Sequence, residues 1–436
     1  MNKLLFLACS SVAGWLLITG PVSAAGGGSE RSGEVIIDWN QVAQQNIGGP
    51  PFLQTRSYAM VHIAMADAVM AIEGRYEPFH VRLRSSVPQG ASAKAAAAQA
   101  AHDVLVALIP ANKAAFDAAL ATSLEDIPPG LRRNGTKVGK KVGKAVLAWR
   151  QNDGYATANP QPPAFLPSEL PGIWRQTASG PAQFSAIANV DPFGLVSTTQ
   201  FLPTVQPQLE SDEYAADYND VKDIGSVDSA TRTPRQTALA QLFAGAPGPH
   251  ANVTNFFRVW HNVVRDVSQD EGMTLVQTAR LFALLTASIN DSLVTSQSSK
   301  FIYRLWRPIT AIAAADIDAN DDTTADVGWV PLLGTPPYPS HASNASCIGT
   351  SAAQTLGNVL GTDSKSFTAT WYTGDSPPAV VHEEPYDSFW AMAHDTGSGR
   401  VWGGIHFRFE ITASEQACSQ VANYIFDNYM QRRRHY

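Results

Sequence analysis

The chain has 436 residues, a net charge of −7 and no basic stripe, which excludes nucleic acid as a partner. Beyond residue 24 no run reaches the ~18 consecutive apolar residues that a membrane span requires, and three cysteines are too few for a disulfide framework. The composition is that of a globular protein large enough to bury a sizeable core.

Lys3 precedes an apolar run from Leu4 to Ile18, followed by Gly20, Pro21 and the small-residue site Val22-Ser23-Ala24-Ala25. These are the three parts of a bacterial secretory signal peptide over 1–24, so the mature chain is expected to be soluble and periplasmic or secreted. Roughly 410 residues then remain, more than one core usually organises, and two packed halves are expected. They follow a Gly/Ser-rich flexible segment at 25–33 and cover 34–207 and 208–436. Only Cys347 and Cys418 survive cleavage, and both are expected to stay unpaired, as buried thiols commonly do.

Asp38-Trp39-Asn40 opens a short helix or turn. From Arg56 to Glu73, Ala59, Ile63, Ala66, Val69 and Met70 recur at helical spacing. His62 and Asp67 lie in this helix, where core residues satisfying each other or nearby backbone are expected. Further helices are predicted over 92–108 and 112–124, and a third carries Lys137, Lys140, Lys141 and Lys144 on a solvated face. Residues 151–207 are rich in Pro, Gly, Ser and Gln; this reads as a long irregular crossing that wraps a surface or serves function. Helices resume over 214–225, 234–243 and 253–267. Next comes a strong core helix over 274–295, with Leu275, Phe282, Leu285, Ile289 and Leu293 on one face. Strand-like alternation is nearly absent. The predicted fold is all-α, two packed helical bundles joined by long loops.

Three stretches of the second half carry chemistry. In Lys300-Phe301-Ile302-Tyr303-Arg304-Leu305-Trp306-Arg307-Pro308, Lys300 and Arg307 are spaced for one helix face, where two cations repel unless an anion sits between them. Arg304 reads as a surface or supporting residue. In Pro336-Pro337-Tyr338-Pro339-Ser340-His341-Ala342-Ser343-Asn344-Ala345-Ser346, prolines lead into a helix over 346–360, whose N-terminus can hold an anion or be an ordinary cap. In Arg400-Val401-Trp402-Gly403-Gly404-Ile405-His406-Phe407, the arginine offers a donor fork and the histidine a nitrogen that can bind metal, attack phosphorus or move a proton. The two glycines between them are expected to let backbone approach a ligand.

This combination resembles the vanadium-dependent haloperoxidases and the related type-2 phosphatidic-acid-phosphatase superfamily, whose pattern is Lys-x6-Arg-Pro, Pro-Ser-Gly-His and Ser-Arg-x5-His. Lys300, Arg307 and Pro308 match the first arm; Arg400 and His406 match the third, with Gly399 where serine is usual. The run Gly403 to Glu410, together with Arg56 to His62, Pro171 to Trp174 and Ala279 to Leu284, extends the resemblance along nearly the whole mature chain. The middle arm departs. With Pro337-Tyr338-Pro339 and the following helix setting the register, Ser343 takes the serine position, Asn344 replaces glycine and Ala345 replaces the acid–base histidine. His341, four residues upstream, is the candidate stand-in, with a solvent-facing orientation as its competing reading; an alternative register uses Ser340-His341 itself.

The resemblance implies vanadate, or phosphate in the same site, held by Lys300, Arg307, Ser343, Asn344 and Arg400, with His406 as the metal-binding and catalytic residue. It favours an exported haloperoxidase-like enzyme that oxidises halide with hydrogen peroxide. An acid phosphatase that attacks a phosphomonoester through His406 is the second reading, and a non-catalytic oxyanion binder the third. Gln297 and Tyr338 stand near positions expected to shape the halide pocket. No residue names the halide, and the sequence leaves homo-oligomers open.

Overall fold

A computed structural model describes residues 32–83, 87–177, 180–245, 256–373 and 379–434; the expected leader and most of the Gly/Ser-rich segment lie outside them. Among the described residues no helix is long and apolar enough to cross a membrane. The helices are α1 (Glu34–Asn46), α2 (Pro51–Glu73), α3 (Ala93–Leu108), α4 (Lys113–Leu124), α5 (Pro129–Trp149), α6 (Asp212–Ile224), α7 (Pro234–Ala244), α8 (Phe256–Asp270), α9 (Leu275–Tyr303), α10 (Pro308–Ala313), α11 (Asn344–Leu360), α12 (Phe389–Trp402) and α13 (Arg408–Asn428). The fold is all-α apart from one antiparallel hairpin, β1 (Phe367–Tyr372) and β2 (Val380–Tyr386), pairing Phe367 with Tyr386 and Trp371 with His382.

Local chemistry sets the boundaries. Ser92 accepts the Ala95 N–H to cap α3, and Thr233 and Thr274 form reciprocal capping boxes with Gln236 and Gln277 at the starts of α7 and α9. Gly74, at φ 69°, ends α2 in the left-handed region that a side chain disfavours. On α5 the small residues Gly135, Gly139 and Gly143 face α3. A Cβ on Gly139 would stand 2.4 Å from the Ala96 carbonyl oxygen, so this helix pair is in backbone contact. The opposite face of α5 carries the exposed Lys137, Lys140, Lys141 and Lys144, as read from the sequence.

One apolar core joins α1, α2, α3 and α5 to α8, α9, α11, α12 and α13. At its centre α9 runs to Tyr303, beyond the predicted end near Thr295, and is buried from Leu275 to Lys300 apart from Gln277. The amphipathic stripe fades because Ser292, Ser296, Ser298 and Ser299 replace apolar residues, yet these are buried too, two of them bonding back to carbonyls of their own helix. Buried carboxylates brace the loops. Asp67 of α2 accepts N–H groups from Phe79, His80 and Val81, and Asp291 of α9 accepts those of Phe193, Gly194 and Leu195. Asp67 thus satisfies neighbouring backbone, as expected. His62 pairs instead with Asn40, whose amide also serves His261.

The cysteine expectation is overturned: Cys347 of α11 and Cys418 of α13 form a disulfide with a Cα–Cα distance of 5.2 Å. Close packing of these helices brings residues 71 apart in sequence within bonding reach, a proximity that spacing alone does not reveal.

Candidate active site

The end of α9 turns on Arg304, which caps the helix at φ 62°. The chain therefore does not carry Lys300 and Arg307 on one helix face: Lys300 lies in the last turn of α9, and Arg307 is the N-cap of α10. The turn brings the two cations together across a bend. Arg304 itself is exposed, its guanidinium over the Phe165 ring. Arg400 comes from the last turn of α12, and His406 from the short link into α13. The glycines between them serve protein packing. A Cβ on Gly403 would stand 2.3 Å from Leu333, and one on Gly404, at φ 74°, would stand 2.4 Å from the Gly225 carbonyl oxygen. They let the link pass close under the Leu333 side chain and the Gly225 backbone.

Arg307 is fully buried. Its Nε donates to the Tyr338 carbonyl at 3.0 Å and its Nη1 to Ile405 at 2.8 Å, with His406 Nε2 3.1 Å from the same Nη1. A guanidinium can only donate, so His406 Nε2 carries the lone pair and Nδ1 the proton. Nδ1 lies 3.0 Å from Glu410 Oε2, one helical turn on in α13. The other carboxylate oxygen, Oε1, accepts the Ser340 hydroxyl at 2.7 Å and the Phe407 N–H at 2.9 Å. A histidine whose far nitrogen is fixed on a carboxylate, so that its near nitrogen carries the lone pair, has the arrangement that orients metal-binding imidazoles.

Lys300 is buried and donates to the carbonyls of Ser340, at 2.5 Å, and Ala342. The Tyr338 ring lies over both cations, 5.5 Å from Lys300 Nζ and 5.2 Å from Arg307 Cζ. Burial, then the charges of Arg307 and Arg400, push the Lys300 pKa well below its ordinary value, with Glu410 opposing. Burial pulls Arg400 down to about 10 and also lowers Arg307. His406 is pushed well below the usual imidazole range, by burial first and then by Arg307, Lys300, Arg400 and His341, and so is neutral. Burial lifts Glu410 to about 7 against the pull of Lys300 and Arg307.

The structure thus brings Lys300, Arg307, Arg400 and His406 together. The Ser343 oxygen accepts the Ser346 N–H as the N-cap of α11, while its own N–H donates to Ser414. The Asn344 carboxamide is held by Ser296 and Gln297. The serine beside His406 is Ser340, whose Oγ is 3.4 Å from Nδ1. His341 does not face solvent: it is fully buried, its ring 5.3 Å from Tyr303 and 6.0 Å from Phe409. Its Nε2 donates to the Thr204 carbonyl at 2.7 Å, leaving Nδ1 as a buried lone pair without a partner among the described residues. Burial, then the nearby Lys300 charge, lowers this imidazole to about 4, with the Thr204 bond opposing.

The irregular crossing covers the site. Gln297 donates to Gln183, Tyr303 to Pro203 and His341 to Thr204, each time to a carbonyl. The Gln183 N–H donates to Pro337, and the backbone of 172–174 bonds that of 304–306. Ser340 entered the sequence reading only through the alternative register, and Glu410 was missed as a site residue. The signal was present for Glu410, one helical turn beyond His406 at a helix start.

Residues 280–435 match the family model described as the VCPO second helical-bundle domain. The chain is 22% identical to vanadium chloroperoxidase from Curvularia inaequalis, over 88% of its own length and 80% of that protein. Its fold superposes on a bacterial vanadium-dependent iodoperoxidase with a TM-score of 0.77 at 20% identity, covering 92% of this chain and 98% of the other. The chain thus has the fold of the vanadium haloperoxidases. A holo-type bacterial vanadium-dependent chloroperoxidase superposes with a TM-score of 0.66 at 16% identity, over 90% and 96% of the two chains. The sequence-level resemblance and the all-α reading therefore stand. The vanadium haloperoxidases matched along their length share this chain's architecture, and the superfamily's second bundle is the half that carries Lys300, Arg307, Arg400 and His406.

Proposed function

We propose that this chain is a vanadium-dependent haloperoxidase whose site holds vanadate on Lys300, Arg307, Arg400 and His406. The carrying observation is the charge balance. Three buried or shielded cations converge on a neutral histidine, and among the described residues the acid whose charge reaches Lys300 and Arg307 is Glu410, already engaged by three donors. Arg307 Nη2 and Arg400 Nη1 are sealed from solvent without hydrogen-bond partners among the described residues. A tetrahedral oxyanion would satisfy these donors and this charge together.

Bound vanadate would supply Lewis-acid activation of hydrogen peroxide. In this assignment His406 Nε2 is the coordinating atom, and Glu410, fixed by Ser340 and the Phe407 N–H, keeps the proton on Nδ1. Lys300, Arg307 and Arg400 neutralise the oxygens. The Asn344 N–H, which has no intrahelical acceptor at the start of α11, adds a donor, with Ser343 capping the same turn. In this assignment His341 Nδ1, the buried lone pair without a partner among the described residues, takes a proton from incoming peroxide, the task that Ala345 cannot perform. An anion in the cradle offsets the Lys300 charge that weakens this base, so occupancy strengthens it.

The test is titration of the purified protein with orthovanadate, followed by parallel assays of bromide oxidation with hydrogen peroxide and of aryl phosphate hydrolysis. Vanadate-dependent bromide oxidation is the expected result. Hydrolysis that vanadate inhibits would reassign the same cradle to a phosphatase with His406 as nucleophile. Tight vanadate binding without turnover in either assay would leave an oxyanion-binding protein.

A further inference from the structure

Far from the cradle, the C-terminal segment lies along the loop after α2. Tyr76 and Arg432 form an antiparallel bridge, the Glu77 N–H donates to the Gln431 carbonyl at 2.9 Å, and the Arg433 N–H to Arg75 at 3.1 Å. Arg280 of α9 anchors the segment by donating to the Met430 carbonyl at 2.9 Å. This pairing gathers Arg75, Arg82, Arg432, Arg433 and Arg434 from the two ends of the chain, against Glu73 and Glu77. Four of these arginines are exposed and Arg433 is half-buried. The chain as a whole carries −7, so this edge is a local exception.

Glu77 is shared by Arg82 at 2.6 Å and Arg433 at 3.2 Å. Arg75, Arg432 and Arg434 pair with no acid among the described residues. Between Arg82 and Arg433 opens a cavity of about 320 Å³, lined by the apolar Met70, Ala71, Val81 and Leu83 and by Glu77, the acid that the two arginines share. Guanidinium forks held on fixed backbone suit phosphate oxygens, and an apolar floor beside them suits the uncharged stem behind a phosphate. We infer that this edge docks the protein on a membrane surface rich in anionic phospholipid, with headgroup phosphates on the arginines and the glycerol region over the cavity.

The four-lysine face of α5 is the rival. Its neighbouring hollow is lined by Asp103 and Asp117 beside Lys140, so its field is mixed, and His102 already bridges those two acids. Soluble sulfated or phosphorylated polymers would need the arginines but not the apolar floor.

The test is flotation of the mature protein with phosphatidylcholine vesicles, with and without phosphatidylglycerol, at low and high salt. Binding is expected on anionic vesicles only, with release at high salt. Arg75→Gln with Arg432→Gln, both exposed and outside any ion pair, should lower partitioning roughly 30-fold, about a factor of five for each cation near an anionic surface. Arg82→Ala with Arg433→Ala should also reduce it. Lys137→Gln with Lys144→Gln should leave it unchanged, and circular dichroism should show every variant folded. The inference is overturned by absence of binding to anionic vesicles, by equal binding to neutral ones, or by loss in the lysine variant with retention in the arginine variants. Retention on a sulfated polymer without flotation would assign the edge to a soluble polyanion and equally overturn it.

Discussion

Replacing Glu410 by Gln changes one atom and, by the geometry, moves a proton. Three donors converge on this carboxylate: the Ser340 hydroxyl at 2.7 Å, the Phe407 N–H at 2.9 Å and His406 Nδ1–H at 3.0 Å. A carboxamide has one oxygen and one NH2. Keeping the oxygen on Ser340 and Phe407 turns the NH2 toward His406 Nδ1, donor against donor. Turning it the other way strands the buried Phe407 N–H, at a cost of about 1–3 kcal/mol. The first arrangement keeps more bonds and drives the histidine proton to Nε2, where it meets Arg307 Nη1 at 3.1 Å, again donor against donor. The coordinating lone pair is lost from the cradle. Losing a charge-assisted bond of about 1.5–3 kcal/mol and the correct tautomer should weaken vanadate binding by roughly 10–100-fold. Equilibrium dialysis with orthovanadate measures the affinity, and nitrogen NMR of histidine-labelled protein reports which ring nitrogen is protonated. Wild-type affinity in Glu410→Gln with the proton moved to Nε2 would refute the assignment of Nε2 as ligand, and wild-type affinity with Nδ1 still protonated would refute Glu410 as the group that sets the tautomer.

His341→Ala should lower bromide oxidation by roughly 10²–10⁴-fold while vanadate affinity changes little, because the imidazole is assigned to proton transfer and not to the anion; matched losses in both would contradict this. Gly139→Ala should destabilise the protein by about 1–3 kcal/mol, read as a fall in melting temperature, since its Cβ would stand 2.4 Å from the Ala96 oxygen in a backbone contact with no flexible side chain to yield. Stability should decline as pH falls from 6.5 toward 3, because buried His62 has its pKa lowered to about 3 and stays neutral while the unfolded imidazole takes up a proton. The melting temperature of His62→Gln should depend less steeply on pH over that window. Removing the Cys347–Cys418 bridge as Cys347→Ala/Cys418→Ala should cost about 4 kcal/mol for a closed loop of 71 residues, measured by denaturant unfolding.

The sequence disclosed most of the helices, because patterning and caps act locally: Pro234, Gly74 and Thr274 mark real boundaries. It placed the end of α9 too early because buried serines carry no apolar signal, and so it put Lys300 and Arg307 on one face when the turn at Arg304 separates them. The hairpin escaped because β2 reads Val-Val-His-Glu-Glu-Pro-Tyr, too polar and proline-broken for clear alternation. The charged arms of the site were legible as residue types at fixed spacing. What orients them was not: Ser340 lies 70 residues from Glu410, and that contact is made only by tertiary packing. His341 is a similar case, since burial under Thr204 could not be read from a loop rich in proline and serine. The disulfide follows the same logic, joining two helices whose packing the cysteines alone do not announce.

The crossing segment has a bearing on how this protein can change over time. It grips the site through the carbonyls of Gln183, Pro203 and Thr204, which every amino acid possesses. At those three positions the side chain can vary without loosening the cover, whereas deleting the segment strands the donors of Gln297, Tyr303 and His341 in the interior. A second bundle excised from the first would carry the charged residues yet lack the acceptors that close over them. The matched family model spans only that bundle, but the enclosure of its site is a property of the whole chain.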